Sequence, residues 1–442
     1  MRRLHYTLLR FVTSFDRKVR ERLTGAGRLV AISAFMAAVV GLDTHQSLAS
    51  QVFSLLAAML ALSALLSLLF RPQVSVRRVL PKFATAGEEL TYRVNIMNAG
   101  RRPLADLEVR ERFAGLRPSY AEFQRARDPR EAKRNWVDRK GGYFRWRHLI
   151  ERRLPERTEV NAGGTLALMP AGSNVGLRAT LVPRNRGVLA FAGIDLVRAD
   201  VFGLAYGRAR LPLPDRLVVL PRRYRLPQVL LPAQRLLQPG GHALASSIGD
   251  SEEFLALREY RPGDSLRRVH WKSFARTGEP VVKEYETEFF ERHALVLDTE
   301  MGKVSDAFEE AISIAASFIY TIDTQECLLD LVFVAGEPEC HTAGRGEATN
   351  VHLLEVLAGL EPSRPGGFDQ LAREVQAMRG NLSSAVFVLL AWDEPRKRLV
   401  AALNAAGLGV RVLLVSASPP ENTDEVLVLQ PGRIEEGLAK LA

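Results

Sequence analysis

Residues 293–323 read HALVLDTEMGKVSDAFEEAISIAASFIYTID, and this stretch decides the fold of the C-terminal half. Its first six residues are a short apolar run without alternation, the pattern of a strand buried on both faces. From Ser305 onward the apolar residues recur at helical spacing over a helix-length span. The same alternation then repeats to the end of the chain. CLLDLVFV (327–334), AVFVLLA (385–391) and VRVLLVSAS (410–418) read as strands. NVHLLEVLAGL (350–360), FDQLAREVQAMRG (368–380), PRKRLVAALNAAG (395–407) and GRIEEGLAKLA (432–442) read as helices. Buried strands alternating with amphipathic helices predict a doubly wound α/β domain with a mostly parallel sheet.

Ligands of such sheets sit beyond the carboxyl ends of the strands. That directs attention to LDTEMG (297–302) and AWDEP (391–395). Neither carries the glycine pattern of a phosphate loop or a dinucleotide fold. Asp298, Glu300 and Asp393 could together offer oxygen ligands to Mg²⁺ or Ca²⁺. The plainer expectation is that Asp298 and Asp393 cap the helices that follow them.

Upstream lies LREYRPGDSLRRVHWKSFARTG (257–278), with five arginines in one helix-length stretch. Arg261-Pro262-Gly263-Asp264 predicts a turn, with Asp264 as N-cap of a helix. That helix has Leu266, Val269 and Phe274 as its apolar face and Gly278 as its stop. The next strand places Glu284, Glu286 and Glu288 on one face, which suggests an ion-pair network with the arginines. The first reading is a salt-bridged joint between two soluble halves. A docking surface anchored by arginine and tryptophan comes second. Catalysis by Asp264, His270 or Ser273 comes last, because residues three apart on a helix do not by themselves make a nucleophile–base pair.

From about Val74 to Leu220 the texture changes to short alternating strands with Gly, Pro and Asn at the turns, which predicts an antiparallel β-sandwich. An insert at 125–153 carries 11 Lys/Arg against 4 Asp/Glu, most of the chain's formal excess of +10. Trp136, Tyr143, Phe144 and Trp146 are interleaved with these cations. Lipid or protein contact ranks first for the insert, a solvated loop second and nucleic acid last, since one patch without a binding motif is weak.

The N-terminal end is apolar. Leu48–Phe70 is a 23-residue run without a charge, and Leu29–Leu42 is a shorter one of 14 residues. A span needs about 20 residues to cross about 30 Å of hydrocarbon. Together they predict a transmembrane helical hairpin closed by DTHQS (43–47). Eight basic residues precede it, and Arg71, Arg77 and Arg78 follow it. The loop has none, which places both ends in the cytoplasm. Leu4, Leu8, Phe11, Phe15, Val19 and Leu23 recur at steps of three or four. This predicts an amphipathic basic helix lying on anionic lipid, with packing onto the soluble part as the alternative. The two cysteines, Cys327 and Cys340, have no zinc spacing and suit a reducing compartment.

The spacing R-x-Y-R-P-G-D-x-x-R-R-V-H-W-K-x-x-A-R-T-G-E from Arg258 resembles the signature of the bacterial family catalogued as domain of unknown function 58. RGVLAFAGIDLVRADVFGLAYGRARL (186–211) is similar to that family's lead-in, with Val201 where a proline is usual. The resemblance implies a membrane protein that works with a MoxR-type AAA+ ATPase and carries a von Willebrand factor A-like tail. Such tails hold a metal through Asp-x-Ser-x-Ser. The matching positions here are Asp298, Glu300 and Gly302, so the aspartate is kept and both hydroxyls are gone.

The expected order is an amphipathic helix (1–28), two spans (29–70), a β-sandwich (71–222), the signature segment (223–292) and the α/β domain (293–442). The expected function is a multi-pass scaffold or adaptor of the inner membrane, facing the cytoplasm, with no catalytic constellation. Its signature residues are Arg258, Tyr260, Pro262, Gly263, Asp264, Arg267, Trp271, Lys272 and Arg276. Its partners are the lipid bilayer, the ATPase and other envelope proteins. No cofactor is expected beyond an Mg²⁺ or Ca²⁺ ion at the acidic residues. The alternative is a cation-dependent hydrolase built on them.

Overall fold

The computed structural model describes all residues except 1, 41–46, 126–134, 137–140, 162–163, 228–251, 288–290, 302–304, 323–326, 345–349, 418–425 and 442. The chain divides into two units. One contains residues 1–222 with the short segment 357–359, and the other contains 223–356 and 360–442.

The first unit opens with three helices, α1 (Arg2–Arg22), α2 (Gly25–Val40) and α3 (Ser47–Leu68). α3 is long and apolar enough to cross a bilayer, and it packs against α2. With 16 residues, α2 falls short of a full span. α1 docks on the rest of the unit near its two ends, through Tyr6 and Leu23, and not through the middle of its apolar stripe. Tyr6 donates to the Pro118 carbonyl at 3.1 Å. Its ring sits among Tyr120, Phe123 and Trp146 at centroid distances of 5.4–5.9 Å. Leu8, Phe11 and Phe15 of the expected apolar stripe stay exposed.

The rest of this unit is a β-sandwich. One sheet has the order β1-β3-β7-β5, built from β1 (Val74–Val79), β3 (Leu90–Asn98), β7 (Asn174–Val182) and β5 (Arg157–Val160). The other has the order β2-β9-β8-β4-β6, built from β2 (Phe83–Thr85), β9 (Tyr206–Leu220), β8 (Gly187–Ala199), β4 (Leu104–Phe113) and β6 (Leu166–Met169). Alternate residues of both sheets meet in one core, including Val94, Ile96, Leu177 and Leu181 from the first and Leu107, Ile194, Leu196 and Leu217 from the second. Among the described residues all sandwich pairings are antiparallel but one, since β2 runs parallel to β9. Arg78 lies wholly inside the sandwich. It pairs with Glu111 and Asp215, each at 2.6 Å, and stacks on Phe191.

The basic insert is partly helical. α4 (Tyr120–Arg125) and α5 (Tyr143–Arg153) flank its central residues, most of which lie outside the described set. Trp146, expected at a surface, is instead 2% exposed. It joins Tyr6 and Phe123 in the aromatic cluster that seats α1. Its indole therefore serves packing, while Trp136 remains exposed.

The second unit begins with a two-stranded hairpin, β10 (Glu252–Glu259) and β11 (Val281–Thr287), antiparallel with a bulge between Phe254 and Ala256. Between these strands runs α6 (Trp271–Thr277). The six-stranded sheet that follows has the order β14-β13-β12-β15-β16-β17. Its strands are β12 (Glu291–Leu297), β13 (Cys327–Val334), β14 (Pro338–Ala343), β15 (Ser384–Leu389), β16 (Gly409–Val415) and β17 (Val426–Leu429). Every neighbouring pair is parallel except the edge hairpin of β13 and β14. Five helices accompany it: α7 (Asp306–Thr321), α8 (Asn350–Gly359), α9 (Gly367–Met378), α10 (Glu394–Ala405) and α11 (Ile434–Leu438). α9 and α10 cover the face carrying Val296, Val332, Phe387 and Leu414. α7 packs near β12, β15 and β16 with Phe308 and residues 311–319 buried. Burial on both faces explains the unalternating apolar strands. Edge strand β14 and terminal strand β17 escaped the sequence reading because PECHTA is mostly polar and the other is only four residues long.

Candidate functional site

The sheet order reverses between β12 and β15: the chain leaves β12 toward β13 on one side and later returns to β15 on the other. In an open α/β sheet the crevice at such a reversal is the expected ligand position. Asp298 and Thr299 end β12 there, both buried. The chain leaving β15 supplies Leu390 and then Asp393, which caps α10 by accepting from the Arg396 amide. One helical turn then carries the Arg396 side chain back over the strand ends.

The three acidic residues read as metal ligands do come together, but around this guanidinium. Arg396 Nε donates to Asp298 Oδ2 at 2.8 Å and Nη1 to Asp393 Oδ2 at 2.6 Å. Glu300 Oε2 lies 3.9 Å from Nη2. The guanidinium also stacks on Phe368, 4.3 Å from the ring centroid. Asp298 accepts two amides as well, from Glu300 at 3.0 Å and Leu390 at 3.2 Å. Glu300 accepts from the amides of Gly366 and Phe368. Thr299 donates to the Val334 carbonyl at 2.7 Å and accepts from the Ser363 hydroxyl at 3.1 Å.

Of the two expected helix caps, Asp393 is one and Asp298 is not. Ser305 caps α7 instead, and the Asp298 carboxylate is taken up by arginine and strand-end amides. Burial pushes the Asp298 carboxyl above the ordinary range, and Arg396 and the two amides hold that rise back. Burial likewise opposes the Arg396 charge, but Asp298 and Asp393 outweigh it and hold the guanidinium above its usual pKa. The cluster is thus an internal ion pair in which Asp298 is bonded by one guanidinium and two backbone amides. Among the described residues no group of three His, Cys, Asp or Glu is arranged to hold a metal ion. Position 302 lies outside them.

The signature forms a different kind of site. Arg258 near the end of β10 grips Asp264 with two bonds of 2.7 Å. Asp264 also accepts the Arg261 amide at 2.8 Å. This closes the Arg261–Asp264 turn, in which Gly263 has φ 111°, a conformation that side-chain-bearing residues disfavour. Asp264 is therefore the clasp of a turn and not a helix cap. The Arg258 guanidinium and the Arg261 amide draw its carboxyl down to about 2. A 3-10 turn, Leu266–Arg268, follows. Val269 then bridges to Val282 and is buried. His270 occupies the N-cap position of α6 without a side-chain capping bond, and Gly278 ends the helix in the left-handed conformation, as expected. The helix is shorter than the sequence reading because the turn and the Val269 bridge take up its first half.

Most of the signature's remaining side chains point to solvent. Trp271 is 58% exposed, and Leu266 and Phe274 are exposed too, so only Val269 of the expected apolar face is packed away. Trp271 and Phe274 meet edge-to-face at 6.0 Å. Arg267, Lys272 and Arg276 have no ion-pair partner among the described residues. Tyr260 is half-buried and its amide donates to the Pro280 carbonyl at 3.0 Å, closing the loop base. Pro262 sits exposed in the turn. The expected glutamate stripe, Glu284, Glu286 and Glu288, has side chains outside the described residues.

His270 Nδ1 and Ser273 Oγ are 2.7 Å apart, closer than helical spacing alone implied. Asp264 is committed to Arg258, however, and among the described residues no carboxylate orients the imidazole. The pair lacks the third member that catalytic triads use. Sequence reasoning missed Arg396 altogether. Its only signal was its place three residues after Asp393, where an N-cap and a basic residue share one turn.

The family model described as "Protein of unknown function DUF58" matches residues 256–424, which covers the signature and most of the α/β sheet. The chain is 27% identical over 191 residues to "Uncharacterized protein YeaD" of Bacillus subtilis (strain 168), a match covering 43% of this chain and 46% of the relative. The matched region thus spans about half the length of that curated relative. Among solved structures, it is similar to an alpha-2-macroglobulin mutant of Salmonella at 10% identity and a TM-score of 0.18, over 36% of this chain and 8% of the other. It is also similar to a PapD-like domain of human CEP192 at 12% identity and a TM-score of 0.16, over 34% and 84%. Likenesses at this level carry no inference about fold or function.

Proposed function

We propose that this chain is a membrane-anchored adaptor whose two soluble regions face the cytoplasm and whose signature hairpin docks a protein partner, an AAA+ ATPase of the MoxR type. The observation that carries the reading is the exposed Trp271–Phe274 pair, in one short segment with exposed Leu266 and with Arg267, Lys272 and Arg276. Exposed tryptophan and arginine on a held backbone are the residues that dominate binding energy at interfaces. Here the backbone is held by the Arg258–Asp264 clasp and the Val269 bridge.

The α/β domain fits a von Willebrand A-like role in strand order, with one antiparallel edge strand and an aspartate at the end of the first strand. In this reading Arg396 takes the place of the metal, so partner binding is independent of divalent cations. The anchor is α3, with α2 beside it. Basic residues at both ends of the apolar region support the cytoplasmic orientation.

The test is co-purification of the full chain with the ATPase in mild detergent under nucleotide-trapped conditions. The adaptor reading expects recovery that survives EDTA and falls at least tenfold in Trp271→Ala/Arg276→Glu. Recovery of the chain alone, or equal recovery by that variant, overturns it. The cation-dependent hydrolase reading has the Asp298 crevice as its site. It requires Mg²⁺ or Ca²⁺ to displace a guanidinium held by two carboxylates. Calorimetry of the full chain with either ion, giving no binding heat, removes its basis.

A further inference from the structure

The hairpin joining β8 to β9 turns at residues 200–205, and its tip is apolar and unpacked: Val201 is 89% exposed and Phe202 is exposed beside it. Exposed large apolar residues at a loop tip call for an occupant. The tip is not a loose loop. Asp200 accepts the amides of Leu204 and Ala205 at 2.8 Å each and that of Phe202 at 3.3 Å. The Asp200 amide closes the turn onto the Ala205 carbonyl at 2.8 Å. With the amides of Asp200 and of residues 202–205 bonded inside the turn, the tip can enter a region poor in water at reduced cost.

Its position along the apolar helices identifies the occupant. Thr24, just before α2, donates through Oγ1 to the Gly203 carbonyl at 2.6 Å and through its amide to the Leu204 carbonyl at 3.0 Å. Gly27 lies so close that a methyl group there would come within 1.9 Å of the Leu204 oxygen. On the other helix, Ser63 is fully buried against Asp200, although its Oγ completes no hydrogen bond. Ser63 is five residues before the end of α3, about 7 Å along the helix axis at 1.5 Å per residue. The tip therefore reaches past the end of the apolar helix and runs alongside its last turns.

α1 leaves from the same joint, where Leu23 bridges to Ala205. Glu21 pairs there with Arg208 at 2.5 Å, and Arg208 also pairs with Asp195. The docking of α1 through Tyr6 and Glu21 leaves Leu8, Phe11, Val12 and Phe15 exposed, Phe11 by 70%. These positions, three or four apart, form one stripe. Arg10, Lys18, Arg22 and Arg28 have no ion-pair partner among the described residues. This combination of an apolar stripe and unpaired cations suits the headgroup boundary of an anionic bilayer.

We propose that Val201 and Phe202 form a wedge inserted into the acyl–headgroup boundary of the bilayer, and that α1 lies along the same surface by its Leu8–Phe15 stripe. The membrane then holds the sandwich by three elements, α3, the hairpin tip and α1, which fixes its orientation as well as its location. The inference rests on α3 spanning the membrane, and the experiment separates the two.

Full-length chain with both native cysteines replaced (Cys327→Ser, Cys340→Ser) is reconstituted into vesicles of equimolar phosphatidylcholine and phosphatidylglycerol. Spin labels are placed singly at Val201→Cys, Phe11→Cys, Leu55→Cys in the middle of α3, and Ser173→Cys in an exposed sandwich turn. Relaxation by oxygen is compared with relaxation by a water-soluble nickel chelate. The expected result is oxygen-dominated relaxation at 55, 201 and 11, deepest at 55, with nickel-dominated relaxation at 173. Labels at 201 and 11 that behave like 173 while 55 stays oxygen-dominated overturn the wedge and leave the anchor standing. Nickel-dominated relaxation at 55 as well overturns both. In vesicles of phosphatidylcholine alone, the label at 11 should shift toward nickel accessibility while that at 201 stays put, since only the α1 contact draws on anionic headgroups.

Discussion

Two arginine–aspartate clasps of the second unit, Arg396–Asp298 and Arg258–Asp264, differ mainly in where they sit. Arg396–Asp298 is closed over by the sheet, with side chains 4% and 0% exposed, whereas Arg258–Asp264 lies open at 35% and 19%. The first bonds through Nε and the second by a two-pronged grip, and both aspartates also accept backbone amides. Water makes the difference. A buried pair that loses one member leaves a charge with no solvent to take it up, while an open pair is screened and replaceable. Similar residues therefore serve as a keystone at the switch point and as the clasp of a turn at the signature.

Removing one partner should expose that asymmetry most strongly at the buried site. Arg396→Leu leaves the buried Asp298 carboxyl without its ion-pair partner. The unfolding free energy of the α/β unit should fall by about 3–5 kcal/mol, measured by pulse proteolysis in urea. The double variant Arg396→Leu/Asp298→Leu should recover much of the loss, because it removes the stranded buried carboxyl together with its partner. A single-variant loss below about 1 kcal/mol would mean that the cluster is screened like a surface pair, and the contrast would collapse.

Asp393 offers an intermediate case within the same cluster. Its side chain is 48% exposed, so solvent takes up most of what its ion pair contributes. What remains is its cap on α10. Asp393→Ala should therefore cost about 1 kcal/mol, well under the Arg396 variant in the same assay. Equal losses at 393 and 396 would show that the guanidinium is held by the cap residue and not by Asp298.

How far these sites could be read from sequence follows from the range of the forces involved. The α/β order was legible because burial on both faces leaves long apolar runs. The sandwich was legible because one-sided burial leaves alternation. Asp298, Glu300 and Asp393 were found as a group by the rule that strand ends converge. The charge between them was not found, since Arg396 reaches the crevice through a fold contact 98 residues from Asp298. At the signature, one helix was expected from Asp264 to Gly278. The Asp264 clasp and the Val269–Val282 bridge divide that segment, and both depend on strand pairing invisible to a local pattern. Trp146 failed in the opposite direction: cations on either side suggested a surface, yet the ring is buried against Tyr6, 140 residues earlier in the chain.

The open clasp should respond to pH in a window that the buried one does not share. Asp264 has a folded pKa of about 2, below the unfolded value of about 3.9. Its contribution is fully present above about pH 4 and is lost as pH falls toward 2. Carbon-13 NMR of the Asp264 carboxyl should give a midpoint near 2, moving toward 4 in Arg258→Ala. In Asp264→Asn the Arg261 amide should exchange faster with solvent at neutral pH, while amides of β12 and β15 keep their protection. A midpoint near 4 in the unmodified chain would mean that the clasp is open in solution.

Trp271→Ala carries the comparison to its smallest stability effect. The ring is mostly in water and touches Phe274 at its edge, so its loss removes little buried surface. The unfolding free energy should change by no more than about 0.5 kcal/mol, as for surface substitutions away from caps and networks. Binding of the ATPase should nevertheless fall at least tenfold, because an exposed tryptophan on a pinned backbone loses little side-chain freedom when a partner covers it. Asp264→Asn should weaken the same binding less, by unpinning the loop without deleting the anchor. The ranking of losses at the signature then inverts the ranking at the switch point. There the most buried group matters most for folding, and here the most exposed one matters most for recognition. A Trp271→Ala chain that unfolds readily yet binds its partner normally would place the ring in the core and remove the surface from consideration.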